Sequence, residues 1–532
     1  MPFLLAWLPA LAPLLLAAAG LLAHGTTRAA ARRASLAAQA GAAGALAAML
    51  ASAALLAAAG GWQANLTQAA WSAGVRLDAL TGLVGTLVAF IGAVVTRFSV
   101  NYLDGNPGQA RFMRWLCLTL AAVLAMILAP NLLQFAAGWI ATSLALHRLL
   151  LFYPGRPGAQ RAARFKFAVS RLGDACLVGA VVLLWAAFGT PDFASLAAKA
   201  EALRGRDVPA GVALAGLLVV GAALMKSAQV PLHGWLPEVV ETPTPVSALL
   251  HAGLINAGGF LVVRLADVML LAPVSLHLLA LVGGFTALFA STVMLTKTSI
   301  KVSLAWSTIA QMGFMLMQCG LGAFSSAVLH IVAHALYKAY AFLSSGSIVD
   351  EAMRTPGALR PQAGAAATGA LVALAVGGAA AIGGAMGFTP LGQPGPVALG
   401  AILGIGLAQL VAAAAAAGGP ALALRGAALA AGIGVAYFAL QAGAARLLAG
   451  AVPAAGPQGG GTVDLAVATL AVLSFAGLAV LQAALPALTA DPRWRALYWH
   501  VANGFHVTAF VHRRAASLLA PSRSATLPGA SS

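Results

Sequence analysis

Apolar runs of about 20 residues recur from one end of the chain to the other, each long enough to cross a bilayer as a helix. Runs at roughly 3–23, 36–59, 78–99, 112–129, 132–152 and 167–188 predict six helices. A mixed-charge loop follows, near Lys199–Arg206, and then an interrupted run from 210 to 263. Further helices are predicted at roughly 276–296, 301–319 and 324–347. From 366 to 490 the chain is rich in Ala and Gly, and its only acid is Asp464. The pattern predicts an all-α polytopic membrane protein of about 15 transmembrane helices, one continuous domain over residues 1–490.

Composition agrees. The 532 residues are 61% hydrophobic and 8% charged, with mean hydropathy +0.91, against about 25% charged in soluble proteins. The net charge of +17 would suggest nucleic acid in a soluble chain, but here it reads as topology. Basic residues gather in alternate loops: Arg28, Arg32 and Arg33; Arg111 and Arg114; Arg156, Arg161, Arg164, Lys166 and Arg171; Arg493, Arg495, Arg513 and Arg514. The positive-inside rule places the N-terminus outside the cell inner membrane and the C-terminus in the cytoplasm. The first run lacks a basic leader and reads as a retained helix. Cys117, Cys176 and Cys319 are scattered and form no metal or disulfide pattern. Residues 491–520 alternate aromatics with His and Arg, which suits a cytoplasmic interfacial or docking segment and equally an aromatic-belt anchor. Residues 521–532 read as a disordered tail.

Two apolar stretches are broken by Pro and Gly. One holds Pro231, Pro237, Pro243 and Pro245; the other holds Gly387, Pro390, Pro394, Gly395 and Pro396. Paired interruptions point to inverted repeats with discontinuous helices at a transport site. The predicted five-helix units run roughly over 111–265 and 275–418.

Titratable side chains sit where a bilayer penalises them, by roughly 3 kcal/mol for a central Lys. Lys226 ends the apolar run that precedes the first break. His330, His334 and Lys338 are spaced by four and so share one helical stripe. His251 follows the first break, and Lys301 opens the helix after Lys297-Thr-Ser-Ile. A desolvated lysine can exchange a proton near neutral pH, and histidine titrates there unaided. Such a row suits a relay for H⁺ or Na⁺. Other readings compete: a metal pair at His330 and His334, opposed by Lys338 on the same stripe; a snorkelling anchor at Lys301; a packing histidine at His251.

The motifs Lys226-Ser-Ala-Gln-Val-Pro-Leu-His-Gly-Trp-Leu-Pro237 and Thr242-Pro-Thr-Pro-Val-Ser-Ala-Leu-Leu-His-Ala-Gly253 resemble the antiporter-like subunits of respiratory complex I and Mrp cation/proton antiporters. Ser303-Leu-Ala-Trp-Ser-Thr-Ile-Ala-Gln-Met-Gly313, His334-Ala-Leu-Tyr-Lys-Ala339 and Ser170-Arg-Leu-Gly-Asp174 match the same family in order. The resemblance implies two inverted five-helix units, a broken helix bearing Lys226, and a relay along Lys226, His251, Lys301, His334 and Lys338. The chain departs from it at Gly138-Trp-Ile140, where the family carries Gly-Trp-Glu, and in the uncharged second break, which holds only Gln393 and Gln409. Asp174, His147 and Arg148 are candidates to replace the missing glutamate, and Glu238 and Glu241 are further relay modulators.

Thr142–Tyr153, Ser170–Cys176 and Ala496–Phe505 resemble the DabB branch, the membrane subunits of inorganic-carbon accumulation complexes. That resemblance implies no catalysis or cofactor in this chain. It implies a cation path that energises one-way CO2 hydration to bicarbonate in a DabA-type cytoplasmic partner holding zinc. The alternatives are a proton-pumping subunit of a respiratory, hydrogenase or Mrp complex, and a membrane anchor with a vestigial relay. The nearly uncharged second half favours a path that turns into the partner at mid-depth.

Overall fold

The computed structural model describes residues 3–346, 364–389, 392–453, 461–488 and 491–519. The expected tail at 521–532, Pro390 and residue 520 lie outside them. The chain is helical nearly throughout. A lipid solvent leaves no other way to satisfy the backbone of a single spanning segment. Among the described residues eleven helices are long and apolar enough to span a membrane, and Leu8–Leu22 and Ala210–Lys226 are shorter apolar segments.

Helices α1 (Leu11–Leu22) and α2 (Arg28–Ala59) pack together at the start of the chain. A hairpin of β1 (Trp62–Asn65) and β2 (Gly74–Leu77) follows, with Trp62 opposite Leu77. Then come α3 (Ala79–Tyr102), α4 (Gln109–Ile127), α5 (Leu132–Leu150), α6 (Pro157–Phe188), α7 (Phe193–Ala202) and α8 (Ala210–Lys226). Asp78 caps α3, accepting from Thr81 N, and pairs with Arg76 at 2.9 Å and Arg264 at 2.7 Å. Burial alone would push the Asp78 carboxyl up, but Arg264 and then Arg76 hold it well below the usual carboxylate range. This network ties the hairpin end of the molecule to the helix that carries Arg264. The opposite end, with Arg111, Arg156, Lys297 and Lys301, is the basic face.

After α8 the backbone is irregular until a short helix at Trp235–Glu238. The chain then runs through α9 (Thr244–Ala252), a kink at Gly253–Asn256, and α10 (Ala257–Arg264). The rest comprises α11 (Pro273–Met294), α12 (Ile300–Gly320), α13 (Phe324–Leu343), α14 (Ala365–Ala385), α15 (Pro394–Leu447), α16 (Thr462–Leu488), α17 (Pro492–Ala502) and α18 (Val507–Leu519).

Three sequence expectations change. The helix expected from 167 begins at Pro157, where Pro takes the first turn without loss of a bonded N–H. Lys166 is therefore inside α6 and 5% exposed, not in a basic loop. The mixed-charge stretch around Lys199 is helical, as α7. The Gly387–Pro396 stretch, expected as a second broken helix, connects α14 to α15. The interruption in this region falls inside α15, at Gly418 and Gly419 (φ +67°) just before Pro420. There the helix doubles back, because a Cβ on Gly426 would lie 3.1 Å from that of Ala414.

Candidate functional site

Lys226 closes α8 where the helix breaks. The freed backbone polar groups find protein partners, as membrane depth demands. Gln229 Nε2 donates to Ser227 O at 2.7 Å, Ser227 Oγ to Ile255 O at 2.9 Å, and Val230 N to Thr286 Oγ1 at 3.3 Å. Pro231 lies in this irregular stretch and Pro237 in the short helix that follows, while Pro243 and Pro245 open α9. The four prolines thus mark one real discontinuity.

The Lys226 ammonium has no glutamate at position 140 to meet. Its Nζ lies 4.2 Å from the centroid of the Trp139 ring and 3.4 Å from the Trp139 carbonyl. Arg171 and Asp174, paired at 2.6 Å on α6, are the charges that bear on it. Trp139, Ser143 and His147 lie along one stripe of α5, spaced by four. Ser143 receives Lys166: Nζ donates to Ser143 Oγ at 2.9 Å and to its carbonyl at 3.1 Å. His147 packs on the Phe167 ring, with centroids 5.0 Å apart, and its buried Nδ1 has no hydrogen-bond partner. Arg148 is directed elsewhere, over the Trp115 ring at 5.8 Å. Of the residues expected to stand in for the missing glutamate, Asp174 faces Lys226 and Arg148 does not.

A second group forms on α9, α12 and α13. Lys338 is 0% exposed and donates to Leu304 O at 3.1 Å. No carboxylate lies within ion-pair distance of it among the described residues. One turn back is His334, and another turn back His330, with ring centroids 5.8 Å apart. His251 stacks on Phe342 at 4.3 Å, facing His334. Buried ring nitrogens of His251, His330 and His334 have no partner. Lys301 stands nearer the basic face, donating to Thr244 Oγ1 at 2.8 Å, which in turn reaches Tyr102 Oη at 3.4 Å.

Between the two groups lies a cavity of about 20 Å³ at the α9–α10 kink, lined by Thr142, Gly253, Asn256 and Ile331. Thr142 Oγ1 and Asn256 Oδ1 have no partner there. The rest of the lining is apolar, so these two side chains are the polar groups that the cavity offers.

Glu238 and Glu241 lie on the basic side of the break. Burial pushes the Glu238 carboxyl up, opposed by His512 and Arg161. Glu241 accepts from Ala159 N at 3.0 Å and so caps the first turn of α6. The segment expected to dock a partner packs on this same chain, over the break. Lys297 Nζ donates to Ala502 O at 2.5 Å, Phe505 meets Phe289 at 5.9 Å, and His512 meets Phe165 at 4.4 Å. Its outer side still presents Tyr498, Trp499 (68% exposed) and Phe510.

Residues 129–376 match a family model described as NADH:quinone oxidoreductase/Mrp antiporter, TM, and residues 62–113 match one for the N-terminus of complex I chain 5. A probable inorganic carbon transporter subunit DabB2 of Halothiobacillus neapolitanus is 39% identical over 448 residues, 83% of this chain and 80% of the relative. The chain belongs to the DabB family. A second DabB protein, from Hydrogenovibrio crunogenus, is 47% identical over 272 residues, 50% of this chain; the match spans about half of that relative's length, 52%. An Mrp complex from Dietzia sp. shares the fold at 24% identity and TM-score 0.60, covering 98% of this chain and 60% of its counterpart. The DabB family thus sits among transporter and antiporter-like membrane subunits, and this member is a multi-pass membrane protein.

Two buried groups escaped the sequence reading of this DabB chain. Lys166 was hidden by the basic cluster around it. His233 lies inside the quoted break motif, 0% exposed between the rings of Phe289 and Trp306, with neither nitrogen hydrogen-bonded. Its position one turn before Pro237 was the available signal.

Proposed function

We propose that this chain conducts a cation, H⁺ in the first place, across the cell inner membrane to energise inorganic carbon accumulation. The partner is a cytoplasmic DabA-type subunit whose zinc site hydrates CO2 to bicarbonate. The basic face is cytoplasmic, with the N-terminus outside and the C-terminus inside, as the loop charges favour. The relay comprises Lys226, His251, Lys301, His330, His334 and Lys338. Lys226 and Lys338 carry the exchanging protons, and water at the Thr142–Asn256 cavity links the two groups.

The observation that carries this reading is Lys338. A lysine buried without a carboxylate is costly in a bilayer and marks an ion pathway by default. Its alignment with two histidines, each with a buried ring nitrogen that has no partner, gives it neighbours to exchange with. The partner would dock on the cytoplasmic segment that bears Tyr498, Trp499 and Phe510. The test is growth in air of a bacterial host lacking carbonic anhydrase, supplied with the intact complex. Lys338→Met and Lys226→Ala are expected to abolish growth while the complex still assembles; normal growth in both variants refutes the relay.

A further inference from the structure

The relay described above leaves one end without an opening. At 1.5 Å per residue, the stripe from Ser326 to Lys338 covers about 18 Å of α13, against a hydrocarbon core of roughly 30 Å. Lys301, Thr244 and Tyr102 extend it to the basic face. The hairpin side requires a mouth, and among the described residues from 366 to 490 there is a single acid to make one.

That acid is Asp464, in the first turn of α16. Its Oδ1 lies 2.6 Å from Nε2 of His277, in the first turns of α11 and 187 residues away in the chain. Both side chains are only partly exposed, at 21% and 25%. They line a cavity of about 30 Å³, large enough for water. Its other walls are the α12–α13 turn (Leu321, Gly322) and the start of α15 (Gln393, Pro394).

The cavity's lining reaches Gly322, two residues before α13 begins at Phe324. Ser326 stands in the first turn of that helix, buried, with Oγ 2.5 Å from Oε1 of Gln441 on α15. The Gln441 amide nitrogen is buried and has no partner. One turn below Ser326 is His330, on the same stripe as His334 and Lys338. Polar side chains therefore follow one another at single-turn intervals from Ser326 to the buried lysine.

We propose that the His277–Asp464 pair is the outer mouth of the cation path. It would take a proton, as hydronium, from the hairpin face and pass it by way of Ser326 and Gln441 to His330. The path would then cross the membrane within this chain rather than enter at mid-depth from the partner. This rests on the relay reading given under the proposed function.

The test uses the whole complex in sealed vesicles and records potential-driven proton flux. Asp464→Asn and His277→Gln are expected to lower flux at least tenfold, with Asp464→Glu recovering part of it. Gln393→Cys provides an independent reading: a membrane-impermeant charged thiol reagent is expected to block flux when added on the hairpin side, and to leave the unsubstituted complex unaffected. Unchanged flux in Asp464→Asn together with no block at Gln393→Cys overturns the outer mouth. If Lys338→Met abolishes flux in that same preparation, the relay stands and the mouth alone is wrong. If Lys338→Met also conducts normally, the relay reading itself has failed.

Discussion

The ammonium of Lys226 rests 4.2 Å from the ring centroid of Trp139, beside an Ile140 that carries no charge. A ring face and a backbone carbonyl receive the cation where a carboxylate would have held it. Such contacts stabilise a desolvated cation by about 2 kcal/mol, less than a buried ion pair whose breaking costs about 3–5 kcal/mol.

Replacing Trp139 with Leu removes the ring and keeps the carbonyl. Proton flux in vesicles is expected to fall about fivefold to thirtyfold, in line with 1–2 kcal/mol of lost cation–π energy. Trp139→Phe is expected to retain more flux than Trp139→Leu.

Asp174 is the acid that bears on Lys226 and Lys166. Asp174→Asn leaves three buried or half-buried cations, Lys166, Arg171 and Lys226, facing one another. Loss of carbon-dependent growth is expected, with Asp174→Glu restoring part of it. Full growth of the Asn variant would remove Asp174 from the site.

Lys166 separates a structural from a functional role. Exchanging a buried charge for a hydrophobe of similar volume is often neutral or stabilising by 1–4 kcal/mol. Lys166→Met is therefore expected to melt at the same temperature or higher in detergent, while flux falls. A lower melting temperature with normal flux would make Lys166 a packing residue.

Asp78 holds Arg264, which is 3% exposed. Asp78→Ala strands that cation, at an expected cost of about 3–5 kcal/mol, read as a lowered melting temperature. The sign with pH follows from the depressed carboxyl. Its contribution is present above the ordinary Asp range and is lost as pH falls through the folded value, so the difference between Asp78→Ala and the parent should shrink in acid.

Gly234 lets the C-terminal segment close over the break. A Cβ there would clash with the Thr508 side chain. Gly234→Val is expected to release residues 491–519, seen as faster proteolysis within that segment.

Much of the site was legible in sequence where local signals coincide. Lys226 followed by a Pro-rich run marks a charge at a helix break, and spacing by four puts His330, His334 and Lys338 on one stripe whatever surrounds them. Lys166 was misplaced because positive-inside counting assigns every residue of a basic cluster to the loop, whereas Pro157 starts the helix nine residues earlier. The second break was misplaced for a related reason. Dense Pro and Gly at 387–396 make an inter-helix connection, while the sparse Gly418-Gly419-Pro420 interrupts an apolar run and reverses it. The His277–Asp464 pair carries no local signal, since only tertiary packing of α11 on α16 joins residues so far apart.

The most direct measurement is potential-driven proton flux through the purified complex in vesicles, comparing the parent with Lys338→Met and Lys226→Ala. Flux in the parent, with loss of at least tenfold in each variant at unchanged assembly, is the expected result. Equal flux in all three would contradict conduction through this chain.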